Sequence, residues 1–422
     1  MASIAQGKFR GPASGTVASF GRDASRGDTA SVSPGPASDS GATSVDEQAS
    51  IAPSAPSAMT TKRRVHDLDC CSGVIRFAPC PEFSARAKRT HAKLASLVGM
   101  RAIRFDKVGP EDVLELHDVE VGAPGPGELR IVHEAIGVNF IDIYHRSGLY
   151  PLAVMPSGIG LEAAGRVEVV GEGVIGFRVG DRVAYAGGPV GAYADARVIA
   201  ARHVVHVPDG VSSKVAAASL LKGMTAELLV RRAFPVRSGH EVLVHAAAGG
   251  VGLLLVQWAK SLGARVIGTV GSDAKAEVAK EAGCSEVIVY TRETFAERTR
   301  ELTKGRGVDV VYDSVGKDTF DGSLSSLAIR GTLVCFGNAS GKPGLFDPAR
   351  LAAGSFFLTR ASLFHYTALR EELEASASAF FAKVADGTVL VRPPRELPLV
   401  SAADAHASIG SRGTVGSTVL VP

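Results

Sequence analysis

The sequence predicts an α/β protein with two unlike halves behind a disordered N-terminal extension: a β-rich domain, then a doubly wound parallel sheet with helices on both faces. Three observations predict it. Residues 1–99 contain no Tyr and no Trp, and Ala, Ser, Gly and Pro make up 36 of the first 60 residues. From Met100 to about residue 210, short apolar runs alternate with Gly and Pro, the pattern of strands joined by tight turns. From about residue 214, runs of strand length alternate with helical periodicity, which calls for a parallel sheet covered on both sides.

The extension comes first. Chain this poor in large apolar side chains cannot offset its ordering entropy. We read residues 1–99 as a low-complexity tail, either inert or the product of a start placed upstream of Met100. It holds 12 Lys or Arg against 8 Asp or Glu, and the remainder holds 34 against 35, so the net charge of +3 belongs to the tail. Lys62-Arg63-Arg64 and residues 86–93 could form a basic arm, while the eight acidic residues argue against a targeting peptide. His66, Cys70, Cys71 and Cys80 lack the spacing of a standard zinc site.

Composition narrows the function classes. Of 422 residues, 45% are hydrophobic and 21% charged, ordinary for a globular protein. No run of about 18 apolar residues free of charges or breakers occurs, so no membrane span is expected. The charge is too small to imply nucleic acid. Five Cys give no disulfide framework, so a reducing, cytoplasmic location fits. Cys284 and Cys335 should pack as small apolar residues.

The elements follow in order. Strands are expected at 128–134, 164–170 and 181–186, with turns at 122–127 and 171–173, and His203 and His206 on a further strand. A helix at 215–230 opens the second half. Strands at 241–245, 265–270, 286–290, 308–312 and 332–336 then alternate with helices at 251–262 and 274–282. A last helix at 369–385 precedes β-like segments that return to the first domain. The expected division is 100–222 with 360–422 as one domain and 223–359 as the other.

Strand 241–245 runs into Ala246-Ala-Ala-Gly-Gly-Val-Gly252 and a helix. Gly249 and Gly252 match the second and third glycines of G-x-G-x-x-G, with Ala247 at the first. Gly249 lets a pyrophosphate approach the backbone, Gly252 lets the helix pack closely, and the opening amides face the phosphates. The strand before, helix after and second strand give the motif its Rossmann context. Gly271-Ser272 replaces the acid that bonds the ribose of NAD, and Lys275 follows; a hydroxyl and a cation suit the 2′-phosphate of NADPH. Asp273 would repel that phosphate if it turned inward.

Ala246–Gly252, Gln257-Trp-Ala-Lys260 and Gly268-Thr-Val-Gly271 resemble the zinc-independent quinone oxidoreductases, the zeta-crystallin-like branch of the medium-chain dehydrogenase/reductase superfamily. The resemblance runs through Gly137–Tyr144, Arg146–Pro151, Gly160–Gly165, Val311–Gly316 and Cys335–Asn338. It covers residues 100–422 and none of 1–99. It implies a GroES-like β-rich catalytic domain, a Rossmann domain and a homodimer. It also implies an NADPH-dependent quinone reductase that passes hydride, or single electrons, to a quinone between the domains. Asn139 falls near the position of a catalytic zinc-ligand Cys, and no Cys occurs between residues 81 and 283, so a metal-independent reaction is expected.

By the same resemblance Asn139, Tyr144 and Tyr150 line the reacting end. Lys222, Thr225, Ala248, Gly250, Val251, Tyr290, Ser314, Phe336, Gly337, Asn338 and Arg412 join Gly249, Gly252, Gly271, Ser272 and Lys275 around the cofactor. His245 reads as a packed, hydrogen-bonded histidine. Two alternatives stay open: an enone or enoyl reductase with Tyr144 as proton donor, and a cofactor-binding regulator or RNA-binding protein whose basic surface lies in the tail.

Overall fold

The computed structural model describes residues 99–411 and 413–422. The extension up to residue 98 and Arg412 therefore lie outside the described residues.

Alternating side chains build the first half. β1 (Met100–Phe105), β2 (Glu115–Val119) and β4 (Ser157–Gly158) form a three-stranded sheet around β1. β3 (Glu128–Val138) alternates buried and half-buried residues up to His133 and is buried on both faces from Ala135 onward. There it pairs with β5 (Glu162–Val170) on one edge, and helix 213–228 covers its second face. β6 (Arg182–Ala186), β7 (Ala196–Ala200) and β8 (Val204–His206) complete this antiparallel region. His206 lies on β8, whereas His203 ends a 3-10 turn just before it, a correction to the placement of both on one strand. Between β3 and β4, α1 (Phe140–Arg146) was not anticipated. Seven residues with two β-branched isoleucines carry little helical signal. The Asp142 carboxylate accepts the Asn139 amide at 2.8 Å and fixes its start.

α2 (Ser213–Leu228) begins at Ser212, whose hydroxyl accepts the Val215 amide, and passes into a wider turn over Leu229–Ala233. Next come β9 (Glu241–Val244), α3 (Gly250–Ser261), β10 (Arg265–Val270), α4 (Asp273–Ala282) and β11 (Glu286–Val289). α5 (Phe295–Leu302), β12 (Val308–Asp313), α6 (Phe320–Ser325), β13 (Leu327–Cys335) and β14 (Phe357–Arg360) follow. The six strands are parallel in the order β11-β10-β9-β12-β13-β14, so the order reverses between β9 and β12. In such sheets ligands bind at that crevice, beyond the carboxyl ends of the strands. Trp258, Ala259 and Val256 bury α3 against the sheet. Cys284 and Cys335 are buried free thiols, each pushed up to about 12 by burial. After β14, α7 (Leu363–Tyr366) is short, and α8 (Arg370–Ala385) returns to pack on α2.

The C-terminal segment was expected to be β-like throughout. It holds two short strands, β15 (Arg395–Pro398) and β16 (Thr418–Val421), with α9 (Ala402–Gly410) between them. The alanines at 402, 403, 405 and 407 favour helix. β16 pairs with β3 and returns the chain to the first sheet.

Three buried polar side chains set an acid limit on this fold. The His133 ring bonds the Ala194 carbonyl at 2.7 Å and the Tyr185 hydroxyl at 3.0 Å. Tyr193 donates to Asp142 at 3.0 Å and meets the His406 ring at 3.1 Å. Burial brings His133 down to about 4 and His406 down to about 3, and pushes Asp142 up to about 7. The histidines favour the native state above their unfolded value near 6.5, and that contribution is lost as pH falls toward 4. Asp142 acts oppositely, favouring the native state as it protonates below 7. Two histidines outweigh one carboxyl, so acidification from pH 7 to 4 should cost on the order of 3 kcal/mol. Denaturant titrations followed by Trp258, the single tryptophan and a buried one, would measure it. A stability that rises on acidification would show that Asp142 dominates.

Candidate active site

The turn after β9 is tight at its first residues. Ala246 adopts φ +52°, and the Gly249 amide donates to the Ala246 carbonyl at 2.8 Å. A Cβ on Gly252 would lie 2.3 Å from that carbonyl oxygen, and one on Gly268 would lie 2.8 Å from the Ala247 side chain. The third glycine thus clears the turn itself, and Gly268 on β10 makes room for alanine at the first glycine position. Leu253 is the first amide to bond back within α3, to Gly249 at 2.9 Å. The amides of Gly250, Val251 and Gly252 open the helix, the arrangement that receives anions. A side chain at Gly250 would strike the Lys222 stem at 2.9 Å.

Beyond β10, Gly271 lies so close to Tyr290 that a Cβ there would be 2.7 Å from the Tyr290 hydroxyl. Ser272 caps α4, its hydroxyl accepting the Lys275 amide at 3.4 Å. Asp273 is engaged by Arg292, at 2.5 and 3.1 Å. The acid that threatened a 2′-phosphate therefore has a cation of its own, a partner the sequence reading overlooked.

On the opposite wall a buried carboxylate organises three elements. Glu162, at the start of β5, is fully buried. It accepts the Leu221 amide at 2.7 Å and the Asn139 side-chain amide at 2.8 Å, and pairs with Lys222 at 3.4 Å. Lys222, read as a ribose or phosphate ligand, is thus tied to a carboxylate. Thr225 donates its hydroxyl to the Leu221 carbonyl at 2.7 Å. A lone acid inside Leu161-Glu-Ala-Ala-Gly165 was the signal for this hub, because a buried charge needs partners.

Tyr144 and Tyr150 meet edge to face with centroids 4.9 Å apart. The Asn338 amide donates to the Tyr144 hydroxyl at 2.9 Å, and its side chain donates to Tyr150 at 3.0 Å. Arg360, at the end of β14, also donates to Tyr150, at 2.8 Å. Gly337 lies against Ser314, where a Cβ would be 2.4 Å from the Ser314 carbonyl oxygen. His245 is buried, bonding Thr269 at 2.9 Å and Ser323 at 3.0 Å, and burial lowers its pKa.

These walls enclose a cleft of about 720 Å³. It is lined by Asn139, Tyr144, Tyr150, Lys222, Thr225, Ala248, Gly249, Gly250, Val251, Gly252, Gly271, Lys275, Tyr290, Ser314, Phe336 and Gly337. Ser272 and Asn338 stand behind the lining: one caps a helix and the other holds the two tyrosines. Arg412 lies outside the described residues. Arg360, Phe295 and Phe364 line the cleft as well and were not foreseen. Among the described residues no cluster of three or more His, Cys, Asp or Glu is placed to hold a metal ion, and no helix is long and apolar enough to cross a membrane.

Two family models match the chain: the alcohol dehydrogenase GroES-like domain over residues 125–209 and the zinc-binding dehydrogenase over residues 250–383. A quinone oxidoreductase of Pseudomonas aeruginosa is 48% identical over 323 residues, which are 76% of this chain and 99% of that protein. A 2-haloacrylate reductase of a Burkholderia species is 44% identical over 333 residues, 76% of this chain and 99% of its own. The crystal structure of the Escherichia coli quinone oxidoreductase complexed with NADPH superposes with a TM-score of 0.75 at 44% identity. It covers 76% of this chain and 100% of that one. With both domains matched and near half its residues shared across the whole body, the chain belongs to the quinone oxidoreductase family of the medium-chain dehydrogenase/reductase superfamily.

Proposed function

We infer that the protein is an NADPH-dependent quinone reductase. One observation carries this reading: a single cleft joins the glycine turn to Asn139, Tyr144 and Tyr150. NADPH, when bound, supplies the reducing equivalents. The opening amides of α3 would hold its pyrophosphate, Lys275 with Gly271 and Tyr290 its adenosine end, and Asn139, Ser314, Phe336 and Gly337 its reacting end. Tyr144 and Tyr150 present aromatic faces and hydroxyls to a flat acceptor. The work of the protein is then alignment in a shielded cleft. In this reading residues 100–222 with 360–422 carry the acceptor side, and 223–359 the nucleotide side.

The metal-independent reading rests on Lys222, which places a cation beside Glu162, and on Asn139 where a thiolate would be needed. We also propose a homodimer in the cytoplasm, on the family resemblance and the sparse cysteines. A second reading, reduction of an activated carbon–carbon double bond, is favoured by the haloacrylate reductase relative and by the placement of Tyr144.

The test follows oxidation of NADPH and NADH by the full chain with 1,4-benzoquinone, a naphthoquinone and an enone. NADPH oxidation with the quinones alone supports the reductase, and enone turnover moves the assignment to double-bond reduction. Tight NADPH binding without turnover of any acceptor would favour a sensor. Tyr144→Phe separates the two chemistries. Loss of a general acid should cut enone reduction by about 10²–10⁴-fold. Quinone reduction should fall by no more than about tenfold, the cost of leaving the Asn338 amide without its acceptor. Equal losses would refute that division of roles.

A further inference from the structure

The acceptor side of the cleft is aromatic and apolar, with Phe140, Tyr144, Tyr150, Leu363 and Phe364 in its lining. Arg360 brings a guanidinium into it. Of the other lysine and arginine side chains in the lining, Lys222 is committed to Glu162, and Lys275 belongs to the helix after Gly271, on the nucleotide side. Arg360 forms no ion pair among the described residues; its hydrogen bond is to a neutral phenol, Tyr150, at 2.8 Å. β14 is an edge strand of the parallel sheet, and Arg360 is its last residue, at the carboxyl end that faces the crevice.

A guanidinium in no ion pair, at the edge of an aromatic and apolar lining, is a recognition element for an anion. Its bond to Tyr150 uses one of its five donors, so others remain for a ligand. Resting on the reductase reading above, we propose that Arg360 selects acceptors carrying an anionic substituent, a carboxylate or sulfonate, on a flat unsaturated frame. The frame lies against Tyr144 and Tyr150 while the anion meets the guanidinium at the mouth.

The experiment compares 1,4-naphthoquinone with 1,4-naphthoquinone-2-sulfonate in the NADPH-loaded full chain, as wild type, Arg360→Met and Arg360→Lys. Arg360→Met should lower kcat/KM for the sulfonate by about 10–100-fold, mainly through KM, with less than about threefold change for the neutral quinone. Arg360→Lys should recover part of the loss, because it keeps the charge without the planar fork. Added salt should weaken the sulfonate preference of the wild type. Equal loss with both acceptors would overturn the proposal and leave Arg360 as a support for Tyr150. No change with either would overturn it too.

Calorimetric titration with naphthalene-2-sulfonate, which cannot be reduced, separates this proposal from the reductase reading. Binding that weakens at least tenfold in Arg360→Met, in a protein that turns over neither quinone, would keep the anion site and sink the reductase. Turnover of both quinones with equal sulfonate binding in wild type and variant would do the reverse.

Discussion

Glu162→Ala should destabilise the protein by about 3–5 kcal/mol and remove most of its turnover. The carboxylate is fully buried and serves three donors: the Leu221 amide, the Asn139 side chain and the Lys222 ammonium. Its removal leaves a cation that is itself buried with no counter-charge, the costly half of breaking a buried pair. It also frees the Asn139 side chain, which stands at the start of α1, the helix that carries Tyr144. Affinity for NADPH and alignment of the acceptor should fall together. Chemical denaturation of wild type, Glu162→Ala, Lys222→Met and the double variant measures the coupling. The double variant should be more stable than Glu162→Ala alone, because it no longer buries an unpaired charge. Additive losses would mean that the two groups act independently and that the hub is a set of separate hydrogen bonds.

Much of the nucleotide half was legible in the sequence because its signals are local, although α5, α6 and β14 were not read from it. A parallel strand buried on both faces is a continuous apolar run, and the glycines at 249 and 252 mark a turn that few other residues fit. Strand 265–270 was placed to the residue. What escaped depends on contacts distant in sequence. Glu162 and Lys222 meet across 60 residues, and Tyr150 and Arg360 across 210. Neither pairing leaves a local trace, although a charge inside an apolar strand announces that some partner exists. α1 escaped for another reason. Its helix is fixed by the Asp142 carboxylate and by tertiary packing more than by intrinsic propensity. The expectation that Asp273 would either spoil or spare a 2′-phosphate turned on Arg292, which lies 19 residues further on.

Lys275→Glu should reverse the choice of nicotinamide cofactor. The position follows the Gly271-Ser272 turn and lines the cleft, as Tyr290 does. On the proposed placement of the 2′-phosphate beside Lys275, the variant exchanges an attractive charge for a repulsive one, so the dissociation constant for NADPH should rise by about 100-fold or more. NADH presents a hydroxyl at the same place, which a carboxylate accepts, so its affinity should change by less than about fivefold. Fluorescence of the bound reduced nicotinamide gives both constants, and the salt dependence of NADPH binding should flatten in the variant. Equal weakening of both cofactors would place Lys275 elsewhere in the site. Arg292→Ala sharpens the test from the other side. Asp273 now has the Arg292 guanidinium across both its oxygens; without it the carboxylate faces the phosphate uncompensated. NADPH affinity should fall while NADH affinity holds, although Lys275 itself is untouched. If Arg292→Ala leaves NADPH binding unchanged, Asp273 never approaches the phosphate and the cofactor preference rests on Lys275.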